Sequence, residues 1–239
     1  MQAYSATDIG KVRKVNQDTV FCSAEPVGNL PNLFIVADGM GGHNAGDLAS
    51  KLTVETIVDM VSSLDETDPV SLMSKAIVRA NEAVLGKARE AEEYNGMGTT
   101  VVVACIKDKM LYVANVGDSR LYVINRSITQ ITRDHSLVEE LVSMGQLDRK
   151  AARTSQNKNI ITRAIGAMKD VMADFFEIKL KDRDRILMCT DGLTNMVEDD
   201  EILGLVKSKD SIEARVLKLI QSANNHGGRD NVGVILIEV

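Results

Sequence analysis

Runs in which nearly every position is apolar alternate along this chain with stretches whose apolar positions recur at helical spacing. Leu33-Phe34-Ile35-Val36-Ala37, Thr99 to Ile106, Met110 to Val116, Ile186-Leu187-Met188-Cys189 and Val232 to Val239 have the length and content of buried strands. Two helical stripes lie between them. Leu48, Ala49, Leu52, Ile57, Met60, Val61 and Leu64 form the first, and Met73, Ala76, Ile77, Ala80, Ala83, Val84 and Ala88 the second. Asp68-Pro69 supplies the second with an N-cap and a first-turn proline, so two long helices are expected side by side on a sheet. Shorter strands are expected at 2–8 and 19–24, joined by the polar loop Gly10 to Asp18. From Thr99 to Ile124, turns at Lys107-Asp108-Lys109 and Gly117-Asp118-Ser119 predict one antiparallel meander. Asp134 is placed to cap a short helix that closes at Gly145. Residues 160–165 and 171–178 are expected to be extended, and 198–206 and 210–223 helical. Gln146 to Lys158, polar, basic and without a period, is expected to be a mobile flap whose charge suits an anionic substrate.

A chain of 239 residues is expected to form one domain with a sizeable core. Its net charge of −6 argues against nucleic acid as a partner, because a phosphate backbone rewards a basic surface. No run approaches the roughly 18 apolar residues of a membrane span, and the first residues lack the basic-then-apolar form of a signal peptide. No membrane partner and a cytoplasmic location are therefore expected. Cys22, Cys105 and Cys189 are far apart, two of them inside apolar runs, and read as reduced core cysteines.

The chemistry begins where the apolar runs stop. Leu33 to Ala37 leads into Asp38-Gly39-Met40-Gly41-Gly42-His43, and Ile186 to Thr190 leads into Asp191-Gly192. Asp230, after Gly227-Gly228-Arg229, opens the last strand. Any one of these is equally well a polar residue in a glycine turn. If the strands are neighbours, however, Asp38, Asp191 and Asp230 converge, and converging carboxylates demand protons or cations. Carboxylates, a glycine carbonyl and water form an all-oxygen shell suited to Mg²⁺ or Mn²⁺, and Asp118 offers a further ligand. Two such ions about 3.5–4 Å apart activate a shared water for in-line attack on phosphorus. Arg13 is the natural clamp for phosphate oxygens. Other phosphate chemistry lacks its residues: Gly28, Leu111 and Asn195 stand six positions after the three cysteines, where a cysteine phosphatase needs arginine. No P-loop, H-E-x-x-H or G-x-S-x-G is present.

Taken together, Arg13-Lys14-Val15-Asn16-Gln17-Asp18, Asp38 to His43, Gly98-Thr99-Thr100, Asn115 to Arg120, Asp134-His135-Ser136, Asp191-Gly192 and Gly228-Arg229-Asp230-Asn231 resemble, in order, the motifs of the type 2C metal-dependent serine/threonine protein phosphatases, and the chain is similar to their compact bacterial members. The resemblance implies an α+β fold: a four-layer αββα sandwich of two antiparallel sheets packed face to face and flanked by helices, with residues 1–239 as one catalytic domain. It implies that Asp38 bridges two divalent cations (Mn²⁺ or Mg²⁺), that the Gly39 carbonyl ligates one, and that Asp191 and Asp230 complete the other. Asp118, with Asp191, matches the position of a third, weaker metal. Arg13 matches the phosphate-binding arginine, and Asp18 and Asn231 match residues that orient ligands and waters.

The implied reaction is hydrolysis of phosphoserine and phosphothreonine by a metal-activated bridging water, without a phosphoenzyme. The implied partners are phosphorylated proteins and a cognate serine/threonine kinase that the enzyme opposes; a monomer is expected. Animal members carry histidine where Met40 stands and glutamate where Gln17 stands. His43, which is equally read as a helix-start histidine that only hydrogen-bonds nearby, and a metal-bound water are therefore the remaining candidates for the proton donor, while His135 and His226 are expected to be structural. Two rival readings are a silent relative that only binds phosphoproteins, against which the intact acids argue, and a hydrolase of small phosphate esters.

Overall fold

Alternation along the strands decides the layers. In the strand Val101–Lys107, Val101, Val103 and Cys105 belong to a core beneath two long helices, whereas Val102, Ala104 and Ile106 belong to a second core facing another sheet. A strand buried on both faces needs apolar side chains at successive positions, which is why these runs do not alternate with polar residues. The computed structural model describes residues 1–42 and 45–239, apart from the side chains of 150, 153 and 154.

The elements in chain order are β1 (Gln2–Asp8), β2 (Asp18–Ser23), β3 (Leu33–Met40), α1 (Ala45–Ser63), α2 (Pro69–Ala88), β4 (Gly98–Thr99), β5 (Val101–Lys107), β6 (Met110–Val116), β7 (Arg120–Ile124), β8 (Ile128–Gln130), α3 (Leu137–Ser143), α4 (Arg149–Thr154), β9 (Asp174–Lys179), β10 (Arg185–Cys189), α5 (Asp191–Thr194), α6 (Asp199–Val206), α7 (Ile212–Asn225) and β11 (Val232–Glu238). One sheet has the order β1-β11-β10-β7-β8; the other runs β2-β3-β5-β6-β9, with β4 paired to β3. Their ladders are antiparallel. Phe34 and Val36 of β3 meet Met188 of β10 and Ile235 and Ile237 of β11 in the core between the sheets. On the outer faces, α1 and α2 cover β3, β5 and β6, and α6 and α7 cover β10 and β11. The four-layer sandwich expected from the resemblance is the observed one.

Several local expectations change. The turn Gly117-Asp118-Ser119 does not fold a hairpin: β6 and β7 lie in different sheets, as do β1 and β2. The expected meander is therefore broken at Asp118, and the turn crosses from one sheet to the other. Ser136, not Asp134, caps α3 by accepting from Glu139 N, because Asp134 is held by Arg120. Residues 160–165 contribute only single bridges, at Ile161 and Ile165. Part of the expected flap forms α4, a helix of 6 residues whose few apolar positions leave no period to detect. Cys105 and Cys189 are buried and Cys22 half-buried, all three as free thiols.

One ion-pair cluster fixes the far end of β11. Glu238 Oε1 accepts from Arg185 Nε at 2.7 Å and from Arg215 Nη1 at 2.8 Å, and the Arg215 side chain of α7 is only 5% exposed. Hydrogen bonds from Arg215, ahead of those from Arg185, bring the Glu238 carboxyl from 4.5 down to about 2. A depressed carboxylate contributes stability that is present above its unfolded value and lost as pH falls from about 4.5 toward about 2. Glu238→Gln removes the negative charge facing the buried Arg215 guanidinium and leaves it its bonds to the Val206 and Ser211 carbonyls and a neutral amide. The change should cost about 2 kcal/mol, or roughly 4–8 °C in Tm near neutral pH. Thermal melts should show the difference from wild type shrinking toward pH 2.5, and a constant difference would disprove the linkage.

Candidate metal centre

The faces of β2 and β3 that pack between the sheets end in acid. Phe34 and Val36 lie in the inter-sheet core, and Asp38, two residues on, continues the same face. Val20 and Cys22 of β2 pack on that core too, and Asp18 continues their face beside Asp38, with which it is in register. The strand β3 thus runs two residues past Asp38, which is held within a ladder rather than on a turn. From the opposite sheet, Gly233 lies on the same interior face, and its backbone with Thr190 Oγ1, which donates to Asp18 Oδ2 at 2.8 Å, holds Asp18.

Two glycines permit the approach. A Cβ on Gly39 would stand 2.0 Å from the Gly46 carbonyl oxygen, and one on Gly192 would stand 1.8 Å from the Asn231 carbonyl oxygen. The second contact brings the start of α5, with Asp191, against the loop that carries Asp230. The backbone of Asp38 is fixed on both sides: its N–H donates to Thr100 Oγ1 at 3.0 Å, and its carbonyl accepts from Thr100 N at 2.9 Å and Thr99 Oγ1 at 2.8 Å. Thr100 Oγ1 in turn lies 2.7 Å from Ser119 Oγ, which ties Asp38 to the turn bearing Asp118.

Five carboxyls consequently share one end of the sandwich. Burial, then the charges of Asp18, Asp191, Asp118 and Asp230, push the Asp38 carboxyl well above its ordinary value. Burial likewise raises Asp18, Asp118 and Asp191, and Asp191 is eased back by a hydrogen bond from the Asp38 carboxyl. Asp18 Oδ1 and Asp118 Oδ1 are buried and accept no hydrogen bond from the described residues. Unsatisfied buried carboxylate oxygens are costly, and a hard cation satisfies them where a hydrophobic neighbour cannot. Among the described residues, nowhere do three or more Asp, Glu, His or Cys side chains form a ready cage for an ion. The acids stand instead along a rim, which suits ions that keep several waters and take few protein ligands each. The residues present therefore fit hard divalent cations.

The remaining expected residues fall around this rim. Arg13 Nη2 donates to Asp230 Oδ2 at 2.8 Å, one of five donors a guanidinium carries. Asn231 serves the loop of Arg13: its Nδ2 donates to the Ile9 and Val15 carbonyls at 2.9 and 3.0 Å, and its Oδ1 accepts from Gln17 N at 2.9 Å. Asp118 lies in a pocket of about 150 Å³ with Asp191, Asp134 and Glu139. His135 is buried and structural, its Nδ1 accepting from Gly117 N at 3.0 Å while Nε2 faces Asp174 Oδ2 at 3.1 Å, and burial lowers its pKa. His226, at the end of α7, lies 3.4 Å from Ser222 Oγ. His43 lies outside the described residues.

Two positioning groups escape the sequence. Asn195 Nδ2 donates to Asp191 Oδ2 at 2.8 Å, and Lys158 Nζ, from the basic stretch after α4, donates to Asn195 Oδ1 at 3.2 Å. The spacing of Asp191 and Asn195, one helical turn, is the signal that could have found the first. Thr190 and the pairing of Arg120 with Asp134 at 2.6 Å carry no such signal, since each depends on contacts across the sandwich.

The chain is similar to characterised proteins along its whole length. The family model described as Protein phosphatase 2C matches residues 2–232. The Serine/threonine phosphatase stp of Listeria welshimeri is 39% identical, over 100% of this chain and 96% of that protein. The crystal structure of the serine/threonine phosphatase Stp1 from Staphylococcus aureus superposes with a TM-score of 0.93 at 38% identity, covering 100% of this chain and 94% of that one. The catalytic domain of the serine/threonine protein phosphatase PstP in complex with two manganese ions superposes with a TM-score of 0.87 at 29% identity, covering 98% and 96%.

Proposed function

The chain belongs to the protein phosphatase 2C family and is a serine/threonine phosphatase, and from that premise we propose how its residues divide the work. Asp38, the Gly39 carbonyl, Asp191 and Asp230 would hold two divalent cations, Mn²⁺ or Mg²⁺. Asp118 and Asp191 offer a third position. The two manganese ions of the PstP catalytic domain support both the number and the metal. When bound, the cations supply positive charge at the phosphoryl group and lower the pKa of water, making it a nucleophile at neutral pH. The observation that carries this reading is the pair of buried, unsatisfied oxygens on Asp18 and Asp118 beside the crowded Asp38 carboxyl.

The protein's own groups bind and orient. Arg13, on a loop pinned by Asn231, takes the phosphate oxygens of the ester with a planar, permanently charged fork. Asn195 holds the Asp191 carboxylate, Asp18 would orient the waters of the cations, and Lys158, through Asn195, connects the basic stretch 146–158 to Asp191. The leaving serine or threonine oxygen needs a proton, for which His43 is the side-chain candidate on the glycine loop, the thioether of Met40 having none to give. The chain acts as one catalytic domain, a monomer in the cytoplasm, on phosphoproteins made by a serine/threonine kinase.

Phosphate release from phosphothreonine peptides, phosphotyrosine peptides and a small aryl phosphate tests this reading. Turnover of the phosphothreonine peptide is expected with Mn²⁺ and none with chelator; activity that survives chelation would exclude the metal centre. Arg13→Ala should raise KM for the phosphopeptide by roughly 10–100-fold, as loss of a charge-assisted pair does. An unchanged KM and kcat would remove Arg13 from the site.

A further inference from the structure

On the side of the sandwich where β8 ends one sheet and β9 ends the other, a groove of about 740 Å³ runs between them. Its floor is apolar, with Val123, Ile131 and Ile178 packed against the inter-sheet core. Its rim carries Arg126, Lys179, Lys181 and Arg183, all exposed, and among the described residues none of the four has an ion-pair partner. The acids of the groove are already engaged. Asp184 accepts from Asn125 Nδ2 at 2.6 Å and from Lys181 N at 2.7 Å, and Asp182 pairs with Lys109 Nζ at 3.1 Å. A chain of net charge −6 thus gathers four unpaired cations around one groove. Cations concentrated in a concavity focus a positive potential onto whatever enters it.

We propose that this groove docks an acidic, extended segment of the phosphoprotein substrate, away from the phosphorylated residue. The four cations select negative charge. The two sheet-terminal strands favour an extended chain, to which an open sheet edge offers backbone partners. Continuity with the catalytic end comes from β9, whose first residue, Asp174, bonds Arg163 at 2.7 Å and faces His135 beside the Asp118 turn, and whose last, Lys179, is on the groove. A strand of 6 residues spans roughly 20 Å, so the docked acids lie at least about six residues from the phosphothreonine. The proposal rests on the phosphatase reading for its substrate, but the groove can be tested apart from turnover.

The test uses the double variant Arg126→Glu/Lys179→Glu, one change on each side of the groove. The substrates are a phosphothreonine peptide with a run of glutamates about ten residues away, the same peptide with glutamines, and a small aryl phosphate. Wild type should favour the glutamate peptide roughly fivefold in kcat/KM, most of it lost in the variant, with the aryl phosphate unchanged. Fluorescence anisotropy of the glutamate peptide without phosphate should show binding that weakens by a similar factor and with added salt. Arg126→Gln/Lys179→Gln should show a smaller loss in the same direction. Equal kcat/KM for the two peptides, or peptide binding indifferent to the charge reversal, would overturn the proposal. So would binding to phosphatidylglycerol vesicles, lost in the variant, in place of binding to the peptide. A protein inactive on every ester would defeat the phosphatase reading, whereas charge-dependent peptide binding would still support the groove.

Discussion

Asp38→Asn is expected to abolish turnover while making the ion-free protein more stable. The carboxyl at 38 is half-buried at the end of the inter-sheet core, and loss of solvent, then the charges of four other aspartates, raise its pKa. An asparagine there removes one of the mutually repelling charges and still has an N–H to give Asp191, which takes a hydrogen bond from the Asp38 carboxyl in the wild type. The same change takes away the carboxylate shared between the proposed cations. A loss of charge at the reacting group of this kind costs on the order of 10³-fold in kcat or more. The measurements are phosphopeptide turnover at saturating Mn²⁺ and melting curves with and without the ion. Wild type should gain stability with Mn²⁺ and the variant far less, with the ion-free variant melting higher than ion-free wild type. A folded variant that kept a tenth of the wild-type rate would remove Asp38 from the centre. This is the stability cost of a functional site, in which a charge unfavourable to the fold is retained for what it binds.

Chelated protein should lose stability as the pH rises, the reverse of the usual behaviour of acidic groups in a fold. Asp18 and Asp118 are pushed up from 3.8 to about 8, and Asp191 to about 6, burial being the largest cause in each. For a carboxyl raised above its unfolded value, the contribution to stability is fully present below about 3.8 and lost as pH climbs through the raised value. Without ions, Tm should therefore fall between about pH 4 and 8, against the opposite trend from Glu238 at lower pH. Divalent cations replace the protons. At an ion concentration of about 100 times Kd they add roughly 2.7 kcal/mol, and the gain should grow with pH as the carboxylates ionise. Differential scanning calorimetry at several pH values, with Mn²⁺ and with chelator, reads both effects. A chelated protein that became more stable from pH 5 to 8 would show that these acids do not share one desolvated site.

Asp38, Asp191 and Asp230 were legible because each interrupts or borders an apolar run, and a buried strand followed by Asp-Gly is a local pattern. The long helices were legible for the same reason: the Asp68 side chain does accept from Ser71 N at the start of α2, as its place before Pro69 predicts. The partners of Asp18 were not legible. Its companions are Asp38 across a ladder, Thr190 from the neighbouring sheet and the backbone of Gly233, all set by register. Asp134 misled because a carboxylate before a helix is a common cap. Nothing local told that Arg120 would reach it across a gap of 14 residues and leave the capping to Ser136.

What the sequence determined by itself is the inventory: which stretches are strands buried on both faces, which are amphipathic helices, and which acids, glycines and arginine stand at their ends. These follow from side-chain period and backbone preference, which act over a few residues. Only the tertiary structure decided where the chain leaves one sheet for the other, after β1, β6, β8 and β9, since the turns after β1 and β6, for instance, have the composition of ordinary turns. Those four crossings align the interior faces of both sheets so that the apolar core ends in carboxylates from both. Convergence of like charge out of water is a property of the packed sandwich, sustained by the burial of hydrophobic surface elsewhere, and no local pattern contains it.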